Sequence, residues 1–311
     1  MRVLVSGATG YIGSSLMRAL KRSGLEPVGL ARSRDKADAL RIEGADWVIG
    51  NLRDPSTYRE AALSSGGMVH AAAEYGPDQA AVDRAAIDAF IGAARAGGSH
   101  RVFVYTSGVW VLGVTGERPA DETAPVDHAA AAVAWRPAHE RDVLDAAGGT
   151  LSTAVVRPGY VYGGRGGFFG TLMAQAVREG APTVVGDGKN RWPAVHVDDL
   201  ADLYVRILER AWTDAFQMLP PRERLFHAID GSADPLGEMA RAASQAAGKD
   251  GTVRYLPIAE ARARMGPVAD AAAMDQVVTT TRSEPVLGWR PRWRGFVANA
   301  RELFEEWSRK H

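Results

Sequence analysis

The fold of this chain is decided near its amino end by residues 3–16, VLVSGATGYIGSSL. A short apolar run leads into glycines, and apolar residues then recur at helical spacing at Ile12, Leu16 and Leu20. We therefore predict a β-strand, a tight turn and an α-helix in direct succession.

The glycines of this segment differ in what they permit. Gly7 and Gly10 allow backbone conformations that a side chain would forbid, and they let the chain approach a bound group closely. Gly13 lets the helix pack closely on its strand. The first amides of the helix have no partner within it, so they favour an anion, and a dinucleotide pyrophosphate is the usual one. The alternative is an ordinary tight turn. We expect cofactor contacts at Gly7, Thr9, Gly10, Tyr11, Ile12 and Gly13.

The end of the second predicted strand, residues 27–31, bears on the choice between NAD and NADP. In a dinucleotide-binding fold, an acidic residue about 20 positions after the glycines binds the adenosine ribose. Ala31 stands there in this chain, and Arg32 and Ser33 follow it. A guanidinium suits a 2′-phosphate, which it can hold through two parallel hydrogen bonds. The sequence thus favours NADP, with a solvated loop arginine as the alternative.

Composition excludes several other classes of protein. The 311 residues are 46% hydrophobic, which allows a large core, and 37 basic residues balance 37 acidic ones. This balance indicates neither a nucleic-acid nor a membrane partner. The chain has no cysteine, and its seven histidines show no metal-ligand spacing. An apolar strand from Val3 leaves no room for a signal peptide, and no apolar run reaches the ~20 residues of a membrane span, so we expect a soluble, cytoplasmic protein.

Predicted strands and helices alternate along the first half of the chain. The strands are residues 46–50, 68–73, 101–107 and 151–157, and the helices include 79–96 and 129–147. This alternation predicts an α/β fold with a doubly wound parallel sheet, the Rossmann arrangement. We assign residues 1–160 to an NADP-binding domain and 161–311 mainly to a smaller substrate-binding lobe, with segments of about 194–230 returning to the sheet. Within that return, Asp198 or Asp199 is expected to cap a helix over 200–212.

The motifs of the chain resemble those of the extended short-chain dehydrogenase/reductase superfamily, which contains NAD-dependent epimerases and dehydratases. The resemblance spans nearly the whole chain. It rests on SGATGYIG at 6–13, GNLRD at 50–54, VHAA at 69–72, YTS at 105–107, DET at 121–123, VRPG at 156–159, HVDDL at 196–200 and LGWRP at 287–291.

The resemblance implies further contacts with the cofactor. The segment after Arg157 folds its backbone onto the nicotinamide amide in this superfamily, so residues 158–161 are expected to do so here. Asn51 replaces an aspartate that lies near adenine, and its amide can still donate and accept. His70 is either such a contact or a satisfied histidine at a strand end. The implied contacts are Asn51, Leu52, His70, Ala71, Ala72, Thr106, Pro158, Gly159 and Val161.

The catalytic segment departs from the superfamily pattern. Relatives use Tyr-x-x-x-Lys on a helix, with a serine or threonine at the end of the preceding strand. Here Trp135 replaces the tyrosine and His139 replaces the lysine. The usual serine position falls on Gly108, with Ser107 one place earlier.

These replacements change the available acid. An indole N–H donates a hydrogen bond but is no practical acid, so Trp135 cannot act as tyrosine does. A histidine titrates near neutral pH and lies on the same helical face four residues later. We predict His139, Ser107 and Trp135 as the catalytic residues. His139 can alternatively bind the nicotinamide ribose, as the superfamily's lysine does.

The substrate side is expected in the second lobe. The candidate residues there are Tyr162, Phe168, Arg191 and Trp192, with Phe169 beside them. Each taken singly also fits a packing role. Arg191 is the strongest candidate, since related enzymes place an arginine there to meet anionic groups of the substrate.

Three functions remain open at this point. The first is an atypical NADP(H)-dependent oxidoreductase acting on a small carbonyl, imine or alcohol. The second is a non-redox lyase or isomerase on the same scaffold, and the third is a non-enzymatic NADP-binding regulator. A homodimer through the helices predicted at 79–96 and 135–147 is also expected, because both are rich in alanine.

Overall fold

The structure is a computed structural model that describes residues 1–42, 44–164 and 166–309. Its strands, numbered along the chain, are β1 (Arg2–Ser6), β2 (Glu26–Ala31), β3 (Asp46–Ile49), β4 (Gly67–His70), β5 (Arg101–Thr106), β6 (Leu151–Pro158), β7 (Tyr160–Tyr162), β8 (Thr183–Val185), β9 (Ala194–His196), β10 (Leu225–Ala228) and β11 (Arg254–Leu256).

Helices connect the strands and cover the sheet. They are α1 (Tyr11–Arg22), α2 (Arg34–Ile42), α3 (Arg59–Leu63), α4 (Gln79–Ala96), α5 (Arg136–Asp145), α6 (Gly167–Glu179), α7 (Val197–Arg210), α8 (Asp214–Gln217), α9 (Leu236–Ala246), α10 (Ile258–Met265), α11 (Val268–Ala272), α12 (Ser283–Leu287) and α13 (Phe296–Ser308). Short 3₁₀ turns lie at Pro55–Tyr58, Val109–Leu112, Ala131–Val133 and Pro221–Arg224. Among the described residues, no helix is both long and apolar enough to cross a bilayer.

The central sheet confirms the predicted doubly wound α/β fold. Within the described chain it has seven strands in the order β10-β6-β5-β4-β1-β2-β3, and every neighbouring pair is parallel. Leu4 pairs with Val28 on one side and with Met68 on the other. The winding direction therefore reverses at β1 and β4, and ligands bind at the carboxyl ends of the strands where such a reversal opens a crevice.

Both faces of this sheet are buried, as a parallel sheet requires. Val3 and Val5 point to one side and pack in a cluster with Leu16 and Leu20 of α1. The intervening Leu4 points to the other side, where Phe90 of α4 and Phe103 of β5 lie. Strand alternation thus splits the core into two layers.

The chain after β6 builds a second cluster beside this sheet. It contains Tyr160, Phe169, Trp192 and Phe296, among others, and two small parallel sheets, β7–β9 and β8–β11. The central sheet is completed by β10, and α7 packs against α1, where the Ser15 hydroxyl donates to Asp198. Residues of α7 and β10 therefore belong spatially with the first part of the chain.

Two predicted helices begin at other residues than expected. The helix expected over 129–147 is broken into a 3₁₀ turn and α5, which starts at Arg136 because Pro137 fits only in a first turn. The capping prediction at α7 is wrong: Nδ1 of His196 accepts the Asp198 amide at 3.2 Å. Asp199 instead accepts the amides of Arg292 and Trp293, each at 2.9 Å.

Candidate active site

A cavity of about 380 Å³ opens at the carboxyl ends of β1, β4, β5 and β6. Its wall is formed by residues 11–12, 52, 70, 72–75, 79, 82–83, 107–110, 132–133, 135–136, 158–161, 167–168 and 268. The wall thus joins the sheet to the second lobe. This is the place at which a doubly wound sheet binds its ligand.

The glycine turn between β1 and α1 forms one end of this region. Gly7 has φ of +74°, and a Cβ there would lie 2.8 Å from the backbone of Ala71. A Cβ on Gly13 would lie 2.0 Å from the carbonyl oxygen of Gly7, so the helix approaches the turn more closely than any side chain allows. Gly10 begins α1 without a side-chain cap, and the first amides of the helix remain available to an anion. The turn therefore fits a dinucleotide pyrophosphate.

Tyr11 closes this turn against the second lobe. Its hydroxyl donates to the carbonyl oxygen of Gly163 at 2.6 Å, and burial raises the pKa of the phenol well above its usual value. Tyr11 is therefore a structural hydrogen-bond donor, and it lines the cavity together with Ile12.

Charged groups converge beyond the ends of β2 and β3. Arg32 lies 3.6 Å from the carboxylate of Glu74, and Arg53 lies 3.3 Å from the same group. Arg53 also pairs with Asp78. Glu74 lines the cavity, so the two arginines stand at its rim. The sequence motif around Asn51 contained Arg53, but nothing local marked it as a partner of Arg32.

The opposite end of the cavity carries unpartnered donors. Ser107 Oγ, Trp135 Nε1 and Arg136 Nε are buried, and none has a hydrogen-bond partner in the described part of the chain. All three residues line the cavity. Buried polar atoms are rarely left unsatisfied, and a ligand with acceptor atoms in this cavity would supply partners for these three.

In the same wall, Asp83 of α4 accepts hydrogen bonds from side chains of three elements. Its Oδ2 accepts the Tyr105 hydroxyl at 2.9 Å and Nδ1 of His139 at 2.8 Å, while Nε2 of His70 lies 3.3 Å from Oδ1. Burial opposes ionisation of Asp83, but the hydrogen bonds from His139 and His70 outweigh it and hold its pKa well below the usual range. Burial, followed by the charge of Asp83, raises the pKa of Tyr105 far above 10. Asp83 is thus an anion and Tyr105 is not an acid at neutral pH.

The predicted catalytic residues divide between these two places. Ser107 and Trp135 lie in the cavity wall. His139 is only 8% exposed and is not part of that wall, with its Nδ1 held by Asp83 and its ring centroid 4.9 Å from that of Trp135. The four-residue spacing does bring Trp135 and His139 together, but the imidazole lies behind the indole.

The predicted cofactor residues also divide. Those that line the cavity are Tyr11, Ile12, Leu52, His70, Ala72, Pro158, Gly159 and Val161. Those outside its wall are Gly7, Thr9, Gly10, Gly13, Arg32, Ser33, Asn51, Ala71, Thr106 and His139. Thr106, outside the wall, forms a hydrogen bond between its Oγ1 and the Tyr204 hydroxyl at 2.7 Å. His70, in the wall, forms a hydrogen bond between its Nδ1 and Ser6 Oγ at 2.6 Å.

Of the predicted substrate residues, Phe168 lines the cavity. Tyr162 is fully buried and donates to Asp230 at 2.7 Å, and Trp192 stacks on Tyr160 with ring centroids 3.8 Å apart. Arg191 forms an ion pair with Asp275, with Nη2 and Oδ2 2.6 Å apart. None of these three lines the cavity.

Several wall residues were missed by the motifs. Trp110 and Tyr160 form an aromatic side of the cavity, where the indole N–H of Trp110 donates to the Tyr160 hydroxyl at 2.7 Å. Arg136 was missed as well, although it directly follows Trp135. The predicted helix began at residue 129, so the sequence did not indicate that Arg136 is the first residue of α5.

The fold and the cavity together define a dinucleotide-binding α/β protein with a ligand site between its sheet and a second lobe. The sequence model of the NAD dependent epimerase/dehydratase family matches residues 3–216. The chain belongs to this family.

Individual relatives agree with this placement. The uncharacterised protein YLL056C of Saccharomyces cerevisiae is 28% identical over 97% of this chain and 98% of its own length. The NAD(P)H azoreductase of Xenophilus azovorans is 28% identical over 99% of this chain and 97% of its own. Among solved structures, the human epimerase family protein SDR39U1 with NADPH superposes with a TM-score of 0.79 at 21% identity, covering 98% of this chain and 99% of that one.

Proposed function

We propose that this chain is an NADP(H)-dependent oxidoreductase that reduces a small carbonyl or imine compound, or oxidises the corresponding alcohol. The observation that carries the proposal is the set of buried donors on Ser107, Trp135 and Arg136, which have no partner among the described residues and line one cavity. Donors placed in advance suit a substrate oxygen that gains negative charge during reaction. A reductase among the full-length relatives supports the same class.

Two arginines support NADP rather than NAD. Arg32 follows β2, Arg53 follows β3, and both lie within 3.6 Å of Glu74. A phosphate presents more negative charge and more acceptor oxygens than one carboxylate, so both guanidinium groups can transfer to it. We assign the 2′-phosphate to Arg32 and Arg53, with the Ser33 hydroxyl beside it.

A bound reduced nicotinamide supplies the hydride. In the proposed reaction Ser107 donates a hydrogen bond to the substrate oxygen and gives it the proton, which solvent then replaces. Trp135 holds the same oxygen through its indole N–H, which keeps its proton. His139 is a positioning residue, because Asp83 holds its Nδ1 and its ring packs against the Trp135 ring. Phe168 and Trp110 provide apolar contacts for the substrate.

The proposal is tested with the purified protein in two steps. Calorimetry with NADPH and NADH measures cofactor binding, and we expect NADPH to bind more tightly. Absorbance at 340 nm then follows NADPH in the presence of a panel of aldehydes, ketones and imines, and we expect substrate-dependent loss of absorbance.

The other outcomes separate the alternatives. Absence of binding to either nucleotide contradicts the proposal at its base. Conversion of a substrate without net loss of NADPH identifies a lyase or isomerase. Tight NADPH binding with no conversion of any compound, and a protein partner that depends on the nucleotide, identifies a regulator.

A further inference from the structure

Arg136 is a cationic side chain of the cavity wall that forms no direct ion pair with a described residue. Arg136 is the only lysine or arginine in the cavity wall formed by the described residues. No carboxylate lies within ion-pair distance of it in that part of the chain, and its Nε is buried without a partner. Its one polar contact is a long one, with Nη1 3.5 Å from the Thr106 carbonyl oxygen.

The two acidic residues of the wall do not supply the missing partner. Glu74 is engaged by Arg32 and Arg53 at the far rim. Asp83 is close enough for Arg136 to contribute to its low pKa, but its oxygens are occupied by Tyr105, His139 and His70. Asp83 therefore lies near the Arg136 charge without a direct bond to it, and the guanidinium has N–H donors that no described residue accepts.

The position of this guanidinium is defined by packing. Its Cζ lies 5.1 Å from the centre of the Trp135 ring, which is the distance of a cation–π contact. Such stacking reduces the conformational freedom that a free arginine would lose on binding a ligand. It also places the guanidinium beside the Trp135 and Ser107 donors assigned to the substrate oxygen.

Most other side chains near this end of the cavity are apolar or aromatic, and Gln79 is a polar exception that donates to the Ala132 carbonyl oxygen. The apolar and aromatic members are Val109, Trp110, Val133, Tyr160, Phe168 and Val268. A ligand that satisfies this region presents acceptor oxygens and negative charge at one end and an apolar or aromatic body at the other.

We infer that Arg136 binds a carboxylate of the substrate, and that the substrate is an apolar or aromatic keto acid. This inference rests on the proposed function, since it describes the substrate of the same site. A carboxylate matches the paired donors of a guanidinium, and among the described residues Arg136 makes no direct ion pair that a substrate carboxylate would have to displace. Because Arg136 and Trp135 are in direct contact, we expect the carboxylate and the carbonyl to be close together in the substrate, as in a 2-oxo or 3-oxo acid.

The test compares benzoylformate with its methyl ester, which has the same carbonyl and ring but no charge. Binding of each compound to the protein saturated with NADP⁺ is measured by calorimetry, so that no turnover is needed. The variants are Arg136→Gln, which removes the charge, and Arg136→Lys, which keeps it without the paired N–H groups. Arg141→Gln is the control, because Arg141 lies on the same helix and is exposed.

We expect the wild-type protein to bind the acid at least tenfold more tightly than the ester. Arg136→Gln should weaken the acid by about 10- to 100-fold, the range of a charge-assisted hydrogen-bonded pair. Arg136→Lys should bind the acid with an affinity between those of the wild-type protein and Arg136→Gln. In Arg136→Gln, the affinities for the ester and for NADP⁺ should change less than threefold. In Arg141→Gln, the affinities for the acid, the ester and NADP⁺ should all change less than threefold.

Three results overturn the inference. One is equal binding of acid and ester by the wild-type protein, which decides the matter even if Arg136→Gln does not fold. Another is that Arg136→Gln weakens binding of the acid and of the ester by the same factor. The third is that Arg136→Gln weakens binding of NADP⁺ but leaves binding of the acid unchanged, which would assign Arg136 to the cofactor. Binding of the acid through Arg136 without any NADPH oxidation leaves the inference intact and contradicts the proposed function.

Discussion

The imidazole Nδ1 of His139 lies 2.8 Å from Oδ2 of Asp83, and this contact joins α5 to α4 beneath the cavity. Asp83 can only accept a hydrogen bond when ionised, so His139 is the donor and its proton is on Nδ1. The imidazole of His139, which we predicted to replace the superfamily's lysine, is therefore oriented by a buried carboxylate. Its partner comes from 56 positions earlier in the chain.

Removal of the Asp83 charge should destabilise the protein. Asp83→Asn keeps the shape but places an amide donor opposite the donors of Tyr105 and His139. We expect a loss of about 3 kcal/mol in the free energy of unfolding at pH 7, measured by urea denaturation. Because the folded pKa of Asp83 is lowered, this stability is present above about pH 4 and is lost as the pH falls through the folded value.

The matched control is Asp88→Asn on the same helix, where Asp88 forms an exposed i,i+4 pair with Arg84. That change should cost less than ~0.5 kcal/mol. Equal effects of the two substitutions would show that the buried contacts of Asp83 are energetically unimportant.

A second buried histidine, His227, should make the free energy of unfolding depend on pH in the mildly acidic range. Burial lowers the pKa of His227 from 6.5 to about 4, although the charge of Glu122 acts in the opposite direction. The unfolded chain then takes up a proton between those values while the folded protein does not. Stability is full above pH 6.5 and should fall by roughly 2 kcal/mol between pH 7 and pH 5.

His227→Gln should flatten this dependence, since an amide does not titrate and can still donate to the Thr279 carbonyl oxygen. Urea titrations at several pH values measure it. His128→Gln is the control, because the His128 side chain is 87% exposed. An unchanged slope in His227→Gln would assign the pH dependence to another group.

The closeness of α1 to the glycine turn should make Gly13 intolerant of a methyl group. In Gly13→Ala the new Cβ would meet the Gly7 carbonyl oxygen at 2.0 Å, so helix and turn must separate. We expect a loss of about 1–3 kcal/mol in stability and at least tenfold weaker NADPH binding by calorimetry. Gly92→Ala in α4 meets nothing within 4 Å and should instead stabilise by up to about 1 kcal/mol. Similar outcomes for the two variants would argue against the close approach.

Selectivity for the phosphorylated nucleotide should depend on Arg32. Arg32→Glu places a negative charge where we assign the 2′-phosphate, so NADPH binding should weaken at least tenfold while NADH changes less than about twofold. Lys249→Glu is the control, because Lys249 is exposed in the turn after α9. A parallel loss of both nucleotides would place Arg32 elsewhere on the cofactor.

The Ser107 hydroxyl should contribute to turnover rather than to folding. Ser107→Ala should lower kcat by about 100-fold, the usual effect of removing one donor from a developing oxyanion. Stability should change little, because the hydroxyl has no partner among the described residues. Ser152→Ala is the reverse control: its buried hydroxyl donates to the Ala211 carbonyl oxygen, so it should cost about 1 kcal/mol without lowering kcat. Unchanged turnover in Ser107→Ala would require another proton donor.

Local patterns predicted much of the fold and part of the site. Residues 3–16 and the alternation that follows identify the doubly wound sheet, and α4 begins and ends at the residues predicted from its sequence. Ser107 and Trp135 were predicted as catalytic residues and 158–161 as cofactor contacts, and all six line the cavity. These features follow from periodicity and turn chemistry, which act over a few residues.

The tertiary structure alone decided which charges are matched. Arg191 carries the same charge as Arg136, but Asp275 comes from 84 positions away to neutralise it, while Arg136 faces the cavity. His139 and Asp83 show the same dependence on distant partners. The sequence by itself determined the sheet and the glycine cradle. The folded arrangement decided that Arg136 and Trp135 line the cavity and that the His139 imidazole lies outside its wall, because side-chain pairing depends on packing between residues far apart in the chain.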